Sequence, residues 1–185
     1  ECPQCGFLSS TLEPGAGLAV EGVDALRQSN FAPLIERLLQ YVMLSGARVL
    51  EIGSGHGHFL DAARARGCSV IGIEADPVAV AQARGRGHHV VEGFFPLAFN
   101  NDETFDVVAL NDVFEHLPSP DEMAPVLESV LAPGGILVIN LQSAMASSYC
   151  LASFLAMLGF DGPLGRLWQR GLPSPHVSYF NPRTL

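Results

Sequence analysis

The segment Val49-Leu50-Glu51-Ile52-Gly53-Ser54-Gly55-His56-Gly57 places glycine at every second position directly after an apolar run. Glycine lets a backbone turn sharply and lets a ligand approach the main chain closely. The chemistry this suits is the holding of a small cofactor beyond the end of a strand. A dinucleotide fingerprint would read Gly-x-Gly-x-x-Gly, but here the third glycine is Gly57 and position 58 is His. Glu51 adds a carboxylate at the strand end, which would repel a pyrophosphate and tolerate a cationic amine or sulfonium. The same glycines also serve plain strand-to-helix packing. Glu74 sharpens the reading, because it ends the next apolar run about 20 residues on, where nucleotide-binding sheets hold ribose hydroxyls.

A second concentration of reactive groups is Asp112-Val113-Phe114-Glu115-His116. His116 is the natural general base, since an unperturbed imidazole titrates near neutrality. Glu115 and His116 equally suit a role in organising the loop. The other histidines, His56, His58, His88 and His89, occupy loop and strand-edge positions to which we assign no chemistry, and His176 lies far along the chain.

These residues need elements to position them. Phe31, Leu34, Ile35, Leu38 and Val42 recur at helical spacing after Ser29 or Asn30 as a cap, which predicts a helix over about 30–44. Arg48–Ile52 reads as a buried strand, 57–66 as a helix, and 69–74 as a second strand. A helix opens at Pro77, then short strands follow at 88–91 and 105–110. Ser119-Pro120-Asp121-Glu122 is a capping box whose helix contains Pro125, a residue that should bend it or delay its start. Pro133-Gly134-Gly135 is expected to end that helix before a fifth strand at 136–141. Such alternation builds an α/β fold, a doubly wound parallel sheet with helices on both faces and ligands beyond the strands' carboxyl ends.

Composition narrows the partners. The 185 residues include 10 Lys+Arg against 19 Asp+Glu, for a net charge of −9. Without a basic run, nucleic acid is not an expected partner. No apolar run reaches the roughly 18–20 residues of a membrane span, and nothing at the start resembles a signal peptide. Cys68 and Cys150 sit among apolar neighbours and are read as buried thiols, and four scattered cysteines make no disulfide framework, so a cytoplasmic location is expected. The chain begins at Glu1 and stops at Leu185 in what reads as the start of an element, so a fragment of a longer protein is expected.

The ordered set formed by residues 49–57, Gly72-Ile73-Glu74-Ala75-Asp76-Pro77, Phe105-Asp106-Val107-Val108, Glu115-His116-Leu117 and Leu131-Ala132-Pro133-Gly134-Gly135 resembles class I S-adenosylmethionine-dependent methyltransferases. Within them it is most similar to ubiquinone-biosynthesis O-methyltransferases and to sugar or natural-product methyltransferases. The resemblance implies a Rossmann-like sheet in the order 3-2-1-4-5, counted from the Arg48 strand, without the family's C-terminal hairpin. It implies that Gly53, Ser54, Gly55 and Gly57 line the amino-acid half of S-adenosylmethionine, with Glu51 beneath. Glu74 would take the ribose hydroxyls and Ala75 would lie against the adenine. Asn111 would offer backbone contacts to the cofactor's amino group. Many relatives carry Asp after the third strand, whereas Phe94 stands there in this chain, so Phe94 or Phe95 would pack on the adenine. Methyl transfer to an oxygen, nitrogen or carbon of a small molecule follows, with Asp112, Glu115 and His116 as the acid–base group. Asp112, Glu115, His116 and the later His176 also resemble the metal set of ubiquinone-pathway and small-RNA 2′-O-methyltransferases, with Asp112 in place of the usual Glu. Mg²⁺, Mn²⁺ or Zn²⁺ would suit these donors. Asp112 and His116 could face one way if their segment is helical, and His176 must come in from the tail.

Cys2-Pro3-Gln4-Cys5-Gly6 resembles half of a zinc ribbon, needing a second pair from outside this chain. Residues 1–28 are therefore read as the edge of such a module plus a linker, and 29–185 as the methyltransferase domain. Within it, the apolar stretch 142–172 and the tail to 185 make a lid and the start of a C-terminal part. That lid suggests an apolar or hydroxylated acceptor. Two other readings stay open: a non-catalytic S-adenosylmethionine-binding domain, and a nicotinamide-dependent oxidoreductase. Oligomeric state is left open.

Overall fold

The computed structural model describes residues 2–13, 24–99 and 103–185, without the side chains of 24–28. Most of the expected linker, 14–23, lies outside the described residues. In chain order the strands are β1 (Leu8–Ser9), β2 (Arg48–Ile52), β3 (Ser69–Glu74), β4 (His89–Glu92), β5 (Phe105–Asn111), β6 (Leu131–Asn140) and β7 (Ser178–Tyr179). The helices are α1 (Asp24–Leu38), α2 (His58–Arg64), α3 (Pro77–Gly85), α4 (Pro120–Val130), α5 (Ser147–Met157) and α6 (Gly162–Leu167), and a 3₁₀ turn spans Phe114–His116. Among the described residues no helix is long and apolar enough to cross a membrane.

The described residues fall into two compact units. The first comprises those of Leu18–Asn111 and Asp121–Ile139, and the second those of Glu1–Gly17, Asp112–Pro120 and Asn140–Leu185. The first unit is built on a five-stranded sheet in the order β4-β3-β2-β5-β6. Counted from Arg48, that is the expected 3-2-1-4-5. β2 runs parallel to both β3 and β5, with Val49 opposite Val70 and Val107, and β4 runs parallel to β3. Neighbouring residues of a strand point to opposite faces. Val49 and Leu50, or Val107 and Val108, are nevertheless all buried, so both faces of the central strands are covered. This is why these strands read as continuous apolar runs instead of alternating. Phe31, Ile35 and Leu38 of α1 and Phe59 of α2 pack with Val49, Val107 and Ala109. Burial of each such large side chain is worth about 1.5–3 kcal/mol.

Two element boundaries differ from expectation. α1 lies at Asp24–Leu38 instead of 30–44, so Ser29 and Asn30 stand inside it and do not cap it. The apolar stripe Phe31-Ile35-Leu38 is buried as read, but the chain then tightens: Gln40 N–H donates to the Arg37 carbonyl and Tyr41 N–H to that of Leu38. Val42, the next position of the stripe, is half-buried against the same core, while Leu39, Tyr41 and Met43 are exposed. β6 begins at Leu131, so Pro133-Gly134-Gly135 lies within the strand. Gly134 takes φ 78°, and a Cβ on Gly135 would meet the Phe105 carbonyl at 3.0 Å. The glycines thus serve a close strand approach as well as a turn. α4 begins at Pro120, as the capping box predicts, and accommodates Pro125.

In the second unit β1 pairs antiparallel with β7, Leu8 opposite Tyr179. The rings of Phe7 and Phe114 lie 5.2 and 5.3 Å from that of Phe180. Ala144 N–H donates to the Phe180 carbonyl, fastening the segment before α5 to the tail.

Candidate functional site

At the carboxyl end of β2 the chain turns through Gly53 (φ 71°), Gly55 (φ 50°) and Gly57 (φ 83°). Side chains other than glycine rarely adopt such angles. Gly53 and Ser54 both donate N–H to the Ile73 carbonyl, which ties the loop to β3. The three glycines do different work. A Cβ on Gly57 would meet the His88 ring at 3.0 Å and Ala83 at 3.2 Å, so this glycine serves packing. A Cβ on Gly55 would meet nothing within 4 Å, so its backbone borders open space. That space would cradle a ligand held against the loop. Gly72 of β3, which sequence reasoning passed over, is needed as well: a Cβ there would meet Ser54 Oγ at 2.5 Å. Ser54 Oγ is itself buried without a hydrogen-bond partner among the described residues.

Glu74, at the end of β3, is buried and accepts from Gly55 N–H at 2.7 Å and Asp76 N–H at 2.9 Å. Its carboxylate therefore fixes the loop. With about four lone-pair sites in total, it retains capacity for two hydroxyls. Asn111, at the end of β5, donates from Nδ2 to Glu51 Oε1 at 2.8 Å, with both residues buried. The expected role of Asn111 was through its backbone, and this side-chain bond orients Glu51 at adjacent strand ends. Ala75 is half-buried beside Glu74. After β4, Gly93 N–H donates to the Glu74 carbonyl, and Phe94 (58% exposed) and half-buried Phe95 follow. Phe94 thus offers an open aromatic face.

In the second unit Glu115, His116 and His176 bring a carboxylate oxygen and two ring nitrogens within 4.8 Å of one another. Asp112 is outside this set and exposed. The expected helical turn is a 3₁₀ turn that starts only at Phe114, and Asp112 takes φ 54° ahead of it. Asp112 acts on the cluster through its charge. His176 reaches the cluster because Val177 N–H donates to the Glu115 carbonyl at 2.9 Å and His176 N–H to that of Trp168 at 3.2 Å. His116 Nδ1 lies 2.8 Å from the Pro175 carbonyl. A carbonyl only accepts, so Nδ1 carries the proton and Nε2 keeps its lone pair.

Burial sets the protonation of all three. It pushes the Glu115 carboxyl up to about 8, with help from the negative Asp112. It pushes His116 below the usual imidazole value, against the Pro175 hydrogen bond and the Asp112 charge. It pushes His176 down to about 4, assisted by His116. Among the described residues no other residue hydrogen-bonds either buried Glu115 oxygen, and only its own backbone N–H opposes the rise. Two neutral imidazoles around an orphaned carboxyl fit a divalent cation, which would satisfy those oxygens and displace the proton.

The two shifts pull stability in opposite directions. Glu115 contributes stability that is fully present below its unfolded value near 4.5 and lost as pH rises through about 8. His176 contributes stability that is present above 6.5 and lost as pH falls through about 4. They oppose each other between about 4.5 and 6.5, and above that only Glu115 acts. The cation-free protein is expected to lose on the order of 1–2 kcal/mol through Glu115 between pH 6.5 and 8. Denaturant unfolding with a chelator at the two pH values measures it. Glu115→Gln should flatten this interval, and an equal decline in the variant would assign it to other groups.

Elsewhere, Asp61 bonds His88 Nε2 at 2.8 Å and pairs with Arg64 and Arg86, which fastens α2 to the turn before β4. His58 Nδ1 stands 2.7 Å from Arg86. These histidines have structural partners and no place among the clustered ligand groups. Cys2 and Cys5 bracket a tight turn in which Gly6 N–H donates to the Cys2 carbonyl, and no third ligand group joins them among the described residues.

The family model described as "Methyltransferase domain" matches residues 23–185. Among curated proteins the chain is similar to a ubiquinone biosynthesis O-methyltransferase of Pseudomonas putida, 30% identical over 68% of this chain and 60% of that protein. It is also similar to an uncharacterized methyltransferase of Mycobacterium marinum, 32% identical over 52% of this chain and 40% of that protein. The chain thus spans 40–60% of the length of these curated relatives. Among solved structures it is similar to a SAM-bound amino pentose methyltransferase from Micromonospora echinaspora (27% identity, TM-score 0.55, 68% of this chain and 58% of that one). A second is a SAM-dependent methyltransferase from Thiobacillus denitrificans in complex with S-adenosyl-L-homocysteine (27% identity, TM-score 0.52, 60% of this chain and 47% of that one). With the match running from residue 23 to 185 over a sheet of this order, the chain belongs to the methyltransferase-domain family.

Proposed function

We propose that the chain is the S-adenosylmethionine-binding part of an enzyme that transfers the methyl group to a nucleophilic oxygen, nitrogen or carbon of a small molecule. The observation that carries this reading is the cradle over Gly55, bordered by the loop that Glu74 holds. S-adenosylmethionine supplies an electrophilic methyl group on a cationic sulfur. The residues proposed to hold it are Gly53, Ser54, Gly55 and Gly57 along its amino-acid half, with Glu51 and Asn111 beneath. Glu74 takes the ribose hydroxyls, and Ala75, Phe94 and Phe95 flank the adenine. The buried Glu51 carboxylate favours a cation over a pyrophosphate.

On the acceptor's side, when no cation is bound, His116 Nε2 takes the proton that the nucleophile must lose, and His116 is neutral at pH 7 and ready to do so. Glu115, His116 and His176 would hold Mg²⁺, Mn²⁺ or Zn²⁺, which would lower the pKa of an acceptor hydroxyl. Asp112 tunes the charge around them. The exposed Leu151, Phe154, Met157 and Leu158 of α5 and its following turn support an apolar acceptor. Cys2 and Cys5 would supply half of a zinc site, completed by a pair outside this chain. The proposed ribbon and linker cover 1–28, and the methyltransferase domain 29–185.

Calorimetric titration tests the cofactor class. S-adenosylhomocysteine is expected to bind with micromolar or better affinity and NAD not to compete. Competition by NAD would turn the reading toward an oxidoreductase. Binding without turnover of any acceptor would favour a non-catalytic binding domain.

A further inference from the structure

We propose that Tyr179 is a positioning residue that fixes the tautomer of His176 and so presents its Nε2 lone pair to Glu115 and His116. This rests on reading those three residues as a cation site.

The Tyr179 hydroxyl lies 2.8 Å from the Leu167 carbonyl, 3.2 Å from Gln142 Oε1 and 3.2 Å from His176 Nδ1. A phenol has one proton to donate. The Leu167 carbonyl can only accept, and it stands nearest, so the phenol's proton goes there; the same carbonyl also hydrogen-bonds His176. Reversing the Gln142 amide would leave that assignment unchanged. The oxygen that faces His176 is then an acceptor, and Nδ1 must be the donor. A neutral imidazole protonated at Nδ1 carries its lone pair on Nε2. His116 reaches the same tautomer independently through Pro175. With Nδ1 protonated, each ring keeps its lone pair on Nε2, and the two ring centroids lie 4.8 Å apart.

The tyrosine is held to this task. It is 2% exposed, and the rings of Tyr149 and Trp168 lie 4.5 and 4.8 Å from its own. Its backbone is paired with Leu8 across the β1–β7 ladder, and Ser10 N–H donates to the Val177 carbonyl. Burial also raises the phenol's pKa, so the hydroxyl keeps its proton across the working range. A metal-ligating histidine generally donates its other ring N–H to a partner that fixes ring and tautomer, and loss of that partner costs about 10–100-fold in metal affinity.

Long-range ¹H–¹⁵N NMR of the metal-free protein reads the tautomer directly. His176 is expected to be protonated at Nδ1 in the wild type and to become a mixture, or to switch to Nε2, in Tyr179→Phe. Mn²⁺ titration of the two proteins should show a loss of about 10–100-fold in the variant, with S-adenosylhomocysteine affinity unchanged. A wild-type His176 protonated at Nε2 would overturn the proposal, and that measurement stands even if the variant fails to fold. An unchanged tautomer in a folded Tyr179→Phe would also overturn it, because the Leu167 carbonyl alone would then set the ring. If the tautomer responds as expected but Mn²⁺ binds neither protein, the positioning role stands and the cation reading falls.

Discussion

Replacing Glu74 with alanine is expected to weaken S-adenosylhomocysteine binding by roughly 10- to 100-fold. In the proposed complex the carboxylate makes charge-assisted bonds to two ribose hydroxyls, worth about 1.5–3 kcal/mol, and 1.4 kcal/mol is tenfold in affinity. The same side chain also accepts from Gly55 and Asp76 N–H groups, so its loss frees the loop that borders the cradle. Glu74→Gln separates the two contributions. An amide has one oxygen, so only one of the two loop bonds survives while steric shape is kept. Its affinity should fall between wild type and alanine. Calorimetric titration of the three proteins measures this, and equal affinity in all three would remove Glu74 from the ribose site.

Replacing His176 with alanine is expected to lower Mn²⁺ or Zn²⁺ affinity by at least about 100-fold, the upper range found for groups that merely support a ligand. Only two donors of the set, Glu115 and His116, would remain. Proton bookkeeping gives a second readout. With its carboxyl pushed up to about 8, Glu115 is mostly protonated at pH 7, and a bound cation must displace that proton. Titration at pH 7 in buffers of different ionisation enthalpy should therefore register close to one proton released. Affinity should rise with pH until about 8 and then level. Proton-neutral binding would place the cation away from Glu115. Unchanged affinity in His176→Ala would reduce that residue to a part of the tail's packing.

Much of the fold could be read along the chain because local signals and global arrangement agree. Val49-Leu50, Ile71 to Ile73 and Val107 to Leu110 are apolar without alternation, which only a sheet covered on both faces explains. Asp76 before Pro77 is a legible helix start, and the structure adds the bond from Val78 N–H to its carboxylate at 2.9 Å. Boundaries were less legible where periodicity continues past the end of the helix. Val42 keeps the helical spacing of Phe31, Ile35 and Leu38, yet α1 stops at Leu38. Spacing shows which residues share a face, and tertiary contact decides how far the face is used.

The candidate site divides along the same line. The sequence by itself determined the strand–helix alternation, the glycine loop, the acid at the end of β3 and the pair Glu115-His116, because each is a local pattern, while the strand order came through the resemblance those patterns carry. It could not show that Gly55 borders open space while Gly57 meets His88, since the same residue type serves both and only the neighbours differ. It named Asp112 with Glu115 and His116, but a left-handed turn at Asp112 and a 3₁₀ turn beginning at Phe114 keep Asp112 out of the ligand set. Tyr179 and Gln142 carried no signal at all. They lie 3 and 34 residues from His176, and Tyr179 meets its ring and Gln142 the Tyr179 hydroxyl as β7 pairs with β1 and the tail is fastened to the segment before α5. Burial then did what no sequence pattern states. It left a carboxyl with no partner from another residue beside two imidazoles, an arrangement that would suit a cation.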